Sequence, residues 1–108
     1  MKQFIHPSKE DISLTGVLGA LADPMRLGIL KSLLIEEGLC KSCTDAAPCQ
    51  DMAKSTLSNH FRILREAGLV RTIKRGVENR NTVRLDDINE LFPGLLEQVM
   101  TLAAKGKV

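Results

Sequence analysis

Tryptophan and tyrosine are missing from this 108-residue chain, and its three phenylalanines, Phe4, Phe61 and Phe92, stand far apart. Proteins that grip single-stranded nucleic acid or unpaired RNA need exposed rings on which bases stack, so the composition argues against that class. No apolar run is long enough to span a bilayer, and the N-terminus does not show the charged-then-apolar pattern of a signal peptide. Internal repeats and low-complexity tracts are also lacking. The length suits a single domain over residues 1–108, expected in a cytoplasmic protein without membrane contact. A net charge of +2 excludes little, and cysteine is restricted to Cys40, Cys43 and Cys49.

What is present is concentrated between residues 54 and 70, K-S-T-L-S-N-H-F-R-I-L-R-E-A-G-L-V. Leu57, Phe61, Leu64 and Gly68 recur at the spacing of an inward helix face, while Ser55, Ser58, Asn59 and Arg62 share the opposite one. A solvated helix ordinarily carries Glu and Lys on that side. Short hydroxyls and an Asn instead let the backbone approach a groove, where Asn can pair with adenine and Arg with guanine. Gly68 suits the left-handed position that ends a helix. The competing reading is a surface helix with a chance Ser/Asn face.

The following residues favour the groove reading. Residues 70–74 (V-R-T-I-K) read as a strand, 82–85 (T-V-R-L) as its return, and 75–81 as a turn tipped with Arg75 and Arg80. Between residues 54 and 84 there are eight Lys or Arg against two Glu, a local +6, whereas the other seven cations and eleven carboxylates sum to −4. A polar-faced helix beside a basic hairpin is a double-stranded nucleic-acid footprint: the helix enters the major groove and the hairpin meets phosphate or a neighbouring minor groove.

Upstream, residues 12–21 form an apolar helical stretch. Asp23 then caps a second helix that opens at Pro24, buries Leu27, Leu30 and Leu34 with Leu33 beside them, and stops near Gly38. Residues 6–8 read as an irregular lead-in. After the hairpin, Asp86 is expected to cap a short helix through Leu91, and Pro93 to open a last helix reaching about Ala104. That helix carries two apolar stripes, Leu95, Val99, Leu102 and Leu96, Met100, Ala103. An arc this broad exceeds what a small core covers, so a homodimer interface is expected there, with Ile12, Val17, Leu18 and Leu21 as partners. A symmetric pair would set two reading helices about 34 Å apart.

Together, A-L-A-D-P-M-R-L-G-I-L at residues 20–30, S-T-L-S-N-H-F-R-I-L-R-E-A-G-L-V at 55–70 and the basic hairpin resemble the ArsR/SmtB family of winged helix-turn-helix repressors. The resemblance covers nearly the whole chain. It implies a mostly α fold with a β-hairpin wing, in the order α-α-α-α-β-β-α, dimerised through its terminal helices. It also implies a repressor that leaves double-stranded DNA on binding a metal, a metalloid or another signal, or on oxidation.

Two departures stand out. The stretch before the reading helix, T-D-A-A-P-C-Q-D-M-A-K, holds Pro48, which would break a regular helix. The family's metalloid-binding C-V-C motif is absent. Cys40, Cys43 and Cys49, spaced C-x2-C-x5-C, are candidate sensor thiols for a soft ion such as arsenite; Cys40 and Cys43 could also hold zinc or form a disulfide. The alternative is a loop that carries cysteine as a small apolar residue. No cofactor is required by this reading, although a metal or metalloid effector fits it. His6 is read as an N-terminal residue and His60 as half-buried near phosphate, neither as a metal ligand.

The residues expected at DNA are Lys54, Ser55, Thr56, Ser58, Asn59, His60 and Arg62 on the helix, with Lys74, Arg75 and Arg80 on the hairpin. Catalytic residues are not expected. Two other classes compete: a small thiol oxidoreductase using Cys40 and Cys43, which would need a β-α-β context, and a winged protein-interaction module without DNA binding.

Overall fold

The computed structural model describes residues 4–35 and 53–106. The three cysteines, Gly38 and the Pro48 stretch lie outside the described residues.

A short 3-10 turn, Lys9–Asp11, precedes the first helix α1, Leu14–Leu21. Ser13 sets its start by accepting the Gly16 amide at 3.1 Å. Ile12 is therefore extended rather than helical, and it is buried against the later fold. The carboxylate of Asp23 accepts the amides of Met25 and Arg26 at 2.9 and 3.1 Å, opening α2, Pro24–Ile35, as expected. Its fully buried residues are Ile29, Leu30 and Leu33, flanked by the partly buried Leu27 and Leu34. Because α2 touches α1, the reading helix and the hairpin, more than one stripe is covered.

The reading helix is α3, Lys54–Glu66, with Phe61 and Leu64 wholly buried. It ends in a Schellman arrangement: Gly68 donates to the Arg65 carbonyl and Leu69 to that of Leu64, both at 3.0 Å. Gly68 holds φ +86, and a Cβ there would lie 2.5 Å from the Ile12 side chain. Two constraints thus select glycine: a left-handed backbone and the close approach of Ile12.

Strands β1, Val70–Arg75, and β2, Glu78–Val83, pair antiparallel from Val70↔Val83 to Arg75↔Glu78. The hairpin is longer and its turn tighter than expected. Gly76, at φ +60, takes the first place of a two-residue turn with Val77, so residues 78–81 pair instead of looping.

Helix α4, Leu85–Leu91, takes Arg84 as its N-cap. The expectation for Asp86 is corrected: it lies with Asp87 in the first turn, where carboxylates favour the positive helix end. Helix α5, Leu95–Ala104, starts after Gly94, whose φ of +81 turns the chain between Pro93 and the helix. Val17, Ile29, Leu30, Phe61, Leu64, Leu69, Val70 and Ile88 are sealed from solvent and form one core. The result is a helical domain with a two-stranded hairpin beside α3, the winged helix-turn-helix order.

The residues expected at a dimer interface divide. Ile12, Val17, Leu21 and Leu96 are buried in the chain's own core and are unavailable to a partner. Leu18 and Leu102 remain 45% and 44% exposed, and Leu95, Val99, Met100 and Ala103 are partly covered. Periodicity reported that these positions are apolar; it did not report which apolar face the domain itself consumes.

Candidate nucleic-acid interface

The outer face of α3 carries Lys54, Ser55, Thr56, Ser58, Asn59 and Arg62, all exposed. Arg62 lies along this face, with Nη1 on the Glu66 carboxylate at 3.2 Å and Nη2 on Asn59 Oδ1. Asn59 and Arg62, the two residues best suited to base edges, are therefore held together before any ligand arrives. At the start of the helix Ala53 supplies no side-chain acceptor.

Lys74 and Arg75 are exposed on β1 and flank the turn. Arg80 departs from expectation. It pairs with Ile73 in the register, three residues beyond Val77, and is partly buried, so it belongs to the body of the wing. Val77 instead forms the tip, fully exposed beside Arg75. The expected seven-residue turn concealed this, because the register was not visible in composition.

Between α3 and the wing lies an open cleft of about 420 Å³ lined by Phe4, Ile5, Ser58, Arg62, Arg65, Glu66, Lys74 and Asn79. Three cations against one carboxylate give it a positive character suited to a phosphodiester backbone.

His60 is half-buried and turned toward α2. The guanidinium of Arg26 can only donate, so at 3.3 Å the His60 Nδ1 accepts, and the neutral ring carries its proton on Nε2. Arg26 also donates from Nε to the Ala20 carbonyl at 2.6 Å and from Nη2 to Gly19 at 3.4 Å. One side chain thus joins the end of α1 to the reading helix. Arg26 was visible within the D-P-M-R run, but its role required the tertiary structure.

The lead-in segment is equally informative. Thr72 donates its amide to His6 Nε2 at 2.9 Å, and its hydroxyl donates to Asn81 Oδ1 at 2.6 Å. Arg65 of α3 reaches the same hydroxyl at 3.4 Å, and its guanidinium lies 4.4 Å from the centre of the Phe4 ring. Arg84, buried, donates to the Pro7 carbonyl at 2.7 Å and pairs with Asp87 at 3.0 Å. Burial first, then the positive charges of Arg71, Arg84 and Arg65, hold the His6 pKa below its ordinary value of 6.5. The lead-in is irregular, as expected, and within it His6 serves as a structural acceptor.

Among the described residues, no group of three or more His, Cys, Asp and Glu could hold a metal, and no helix is long and apolar enough to cross a membrane.

Residues 21–73, from the end of α1 into β1, match a family described as a helix-turn-helix domain. The chain is 36% identical over 81 residues to an uncharacterized HTH-type transcriptional regulator, YceK, of Bacillus subtilis strain 168, covering 75% of this chain and 80% of the relative. Its fold matches the crystal structure of an ArsR family transcriptional regulator with a TM-score of 0.63 and 28% identity, over 87% of this chain and 92% of that one. NolR from Sinorhizobium fredii matches with a TM-score of 0.56 and 27% identity, over 85% and 98%.

Proposed function

The chain belongs to the ArsR family of helix-turn-helix transcriptional regulators, and from that premise we propose that it represses transcription as a homodimer that reads duplex DNA with α3. Its function is DNA-binding transcriptional regulation. The observation that carries the reading is the exposed Ser55, Ser58, Asn59 and Arg62 face opening onto a cationic cleft shared with the wing. In this arrangement Asn59 and Arg62 exchange their mutual contact for base edges, and Ser55, Thr56 and Ser58 bind nearby phosphates or bases. His60, tied to Arg26, orients the helix and presents its Nε2 proton to the backbone. Lys54 approaches phosphate at the helix start, while Lys74, Arg75 and Arg80 neutralise phosphates along the wing.

Leu14 and Leu18 on α1 and Leu102 on α5 support the dimer, since a protomer leaves all three about half exposed. Cys40, Cys43 and Cys49 are the proposed receptor for the releasing signal, a thiophilic metal or metalloid or an oxidant. This is a binding function rather than a catalytic one, in keeping with relatives that are transcriptional regulators.

Selection of duplexes from a random pool by the reduced, metal-free protein tests the reading. A recovered consensus with two half-sites about one helical turn apart, bound with an affinity that falls with salt, is the expected outcome. Recovery of no consensus, with weak binding that salt abolishes equally for every duplex, would favour the interaction-module alternative.

A further inference from the structure

Within the described structure, residues 4–7 make contacts that join three separate elements, and they touch none of the base-reading side chains through a hydrogen bond. His6 accepts the Thr72 amide on β1. Pro7 holds the buried Arg84 that follows β2. Phe4 lies under Arg65 of α3, and Arg65 reaches back to the Thr72 hydroxyl. Thr72 is thus the meeting point of the lead-in, the reading helix and, through Asn81, the second strand.

We propose that residues 4–7 are a strap that positions the wing against α3, that His6 is its latch, and that protonating His6 opens the latch and weakens duplex binding. The inference rests on the DNA-reading function above and concerns how that surface is regulated. The geometry gives the direction. Nε2 must be unprotonated to accept the Thr72 amide, so the neutral ring carries its proton on Nδ1. Adding a proton at Nε2 sets two donors against each other, at a place already surrounded by Arg71 on β1, Arg84 beyond β2 and Arg65 on α3. Asp87 of α4 is already engaged by Arg84, and Glu66, which lines the cleft with Phe4 and Arg65, is engaged by Arg62. The ring therefore leaves its seat, and Phe4 and Ile5, which line one side of the cleft, lose their anchor. His6 is a positioning residue: it sets where Lys74 and Arg75 stand without approaching DNA.

The folded His6 pKa lies below the ordinary 6.5. The contribution of the closed latch is accordingly complete above about 6.5 and is lost as pH falls through the interval beneath it. The readout is the difference between two proteins that both keep His60 and every other ionisable group, so that only His6 separates them.

The test compares the wild type with His6→Gln, whose Oε1 can accept the Thr72 amide but does not titrate. With a duplex selected at about pH 7.5, both should bind alike. At about pH 5.5 the wild type should lose roughly three- to tenfold more affinity than the variant, the scale of one hydrogen bond. Parallel pH profiles would overturn the proposal. A second measurement does not depend on DNA or on the variant: in the wild type, the Thr72 amide resonance should titrate together with the His6 ring, and an amide indifferent to that titration would also overturn it. If the amide follows His6 but selection yields no duplex at all, the strap contact stands and the DNA reading beneath it falls.

Discussion

Gly68 is the residue whose replacement the structure penalises for two independent reasons. At φ +86 any side chain is strained, and a Cβ would collide with Ile12, which is itself buried. Gly68→Ala is expected to lower unfolding free energy by about 2 kcal/mol or more, measured by urea titration. Asp23 is a different case. Burial alone would raise its pKa, yet the amides of Arg26 and Met25 and the Arg26 guanidinium outweigh burial and leave it lowered from the ordinary 3.8. Its contribution to stability is present above that value and lost as pH falls through the lowered one. Asp23→Ala should cost about 1 kcal/mol at neutral pH. The difference from wild type should shrink in acid; an unchanged difference at low pH would deny the carboxylate its capping role.

At the scale of elements, the proposed binding mode divides recognition between α3 and the wing, and substitutions should separate them. Arg75→Ala is expected to weaken binding by a similar factor on every duplex and to reduce the salt slope by about 1, since it would remove the phosphate contact proposed for the wing. Asn59→Ala should instead relax preference at one or two base positions, at a cost of about 1–3 kcal/mol in discrimination. Competition assays with selected and random duplex at two salt concentrations distinguish the two patterns. Equal losses on both duplexes for both variants would mean that α3 is not the reader. The pairing of Asn59 with Arg62 also implies that replacing either one disturbs the other's orientation, so their effects should not add.

For the whole molecule, the exposed leucines of the terminal helices give the sharpest expectation. Leu18 and Leu102 are each close to half exposed in the protomer, so Leu18→Glu with Leu102→Glu should leave the fold intact. The double variant should sediment as a monomer and lose affinity for a two-half-site duplex, while circular dichroism remains unchanged. A dimer that survives both changes would place the interface elsewhere. Replacing Cys40, Cys43 and Cys49 together with serine should preserve binding by the reduced protein and abolish release by arsenite, zinc or oxidant. Release of the triple variant by the same agents would exclude the thiols as the receptor.

Sequence alone determined the helices on either side of the hairpin, the exposed polar face of α3, the Asp23-Pro24 opening of α2, the Gly68 stop and the clustering of positive charge around the wing. All of these are local: they depend on helical spacing, on backbone angles open to glycine and proline, and on charges that are neighbours in the chain. Tertiary structure decided what depends on distant neighbours. Hairpin register withdrew Arg80 from the tip and exposed Val77. Core packing took Ile12, Val17, Leu21 and Leu96 from the expected dimer face, because an apolar pattern records that a residue avoids water and not which surface shields it. Arg26 and His6 acquired their roles only when folding brought Arg26 to His60, 34 positions away, and His6 to Thr72, 66 positions away. A polar side chain can find many partners within an unfolded chain's reach, and only the packed core determines which of them it meets.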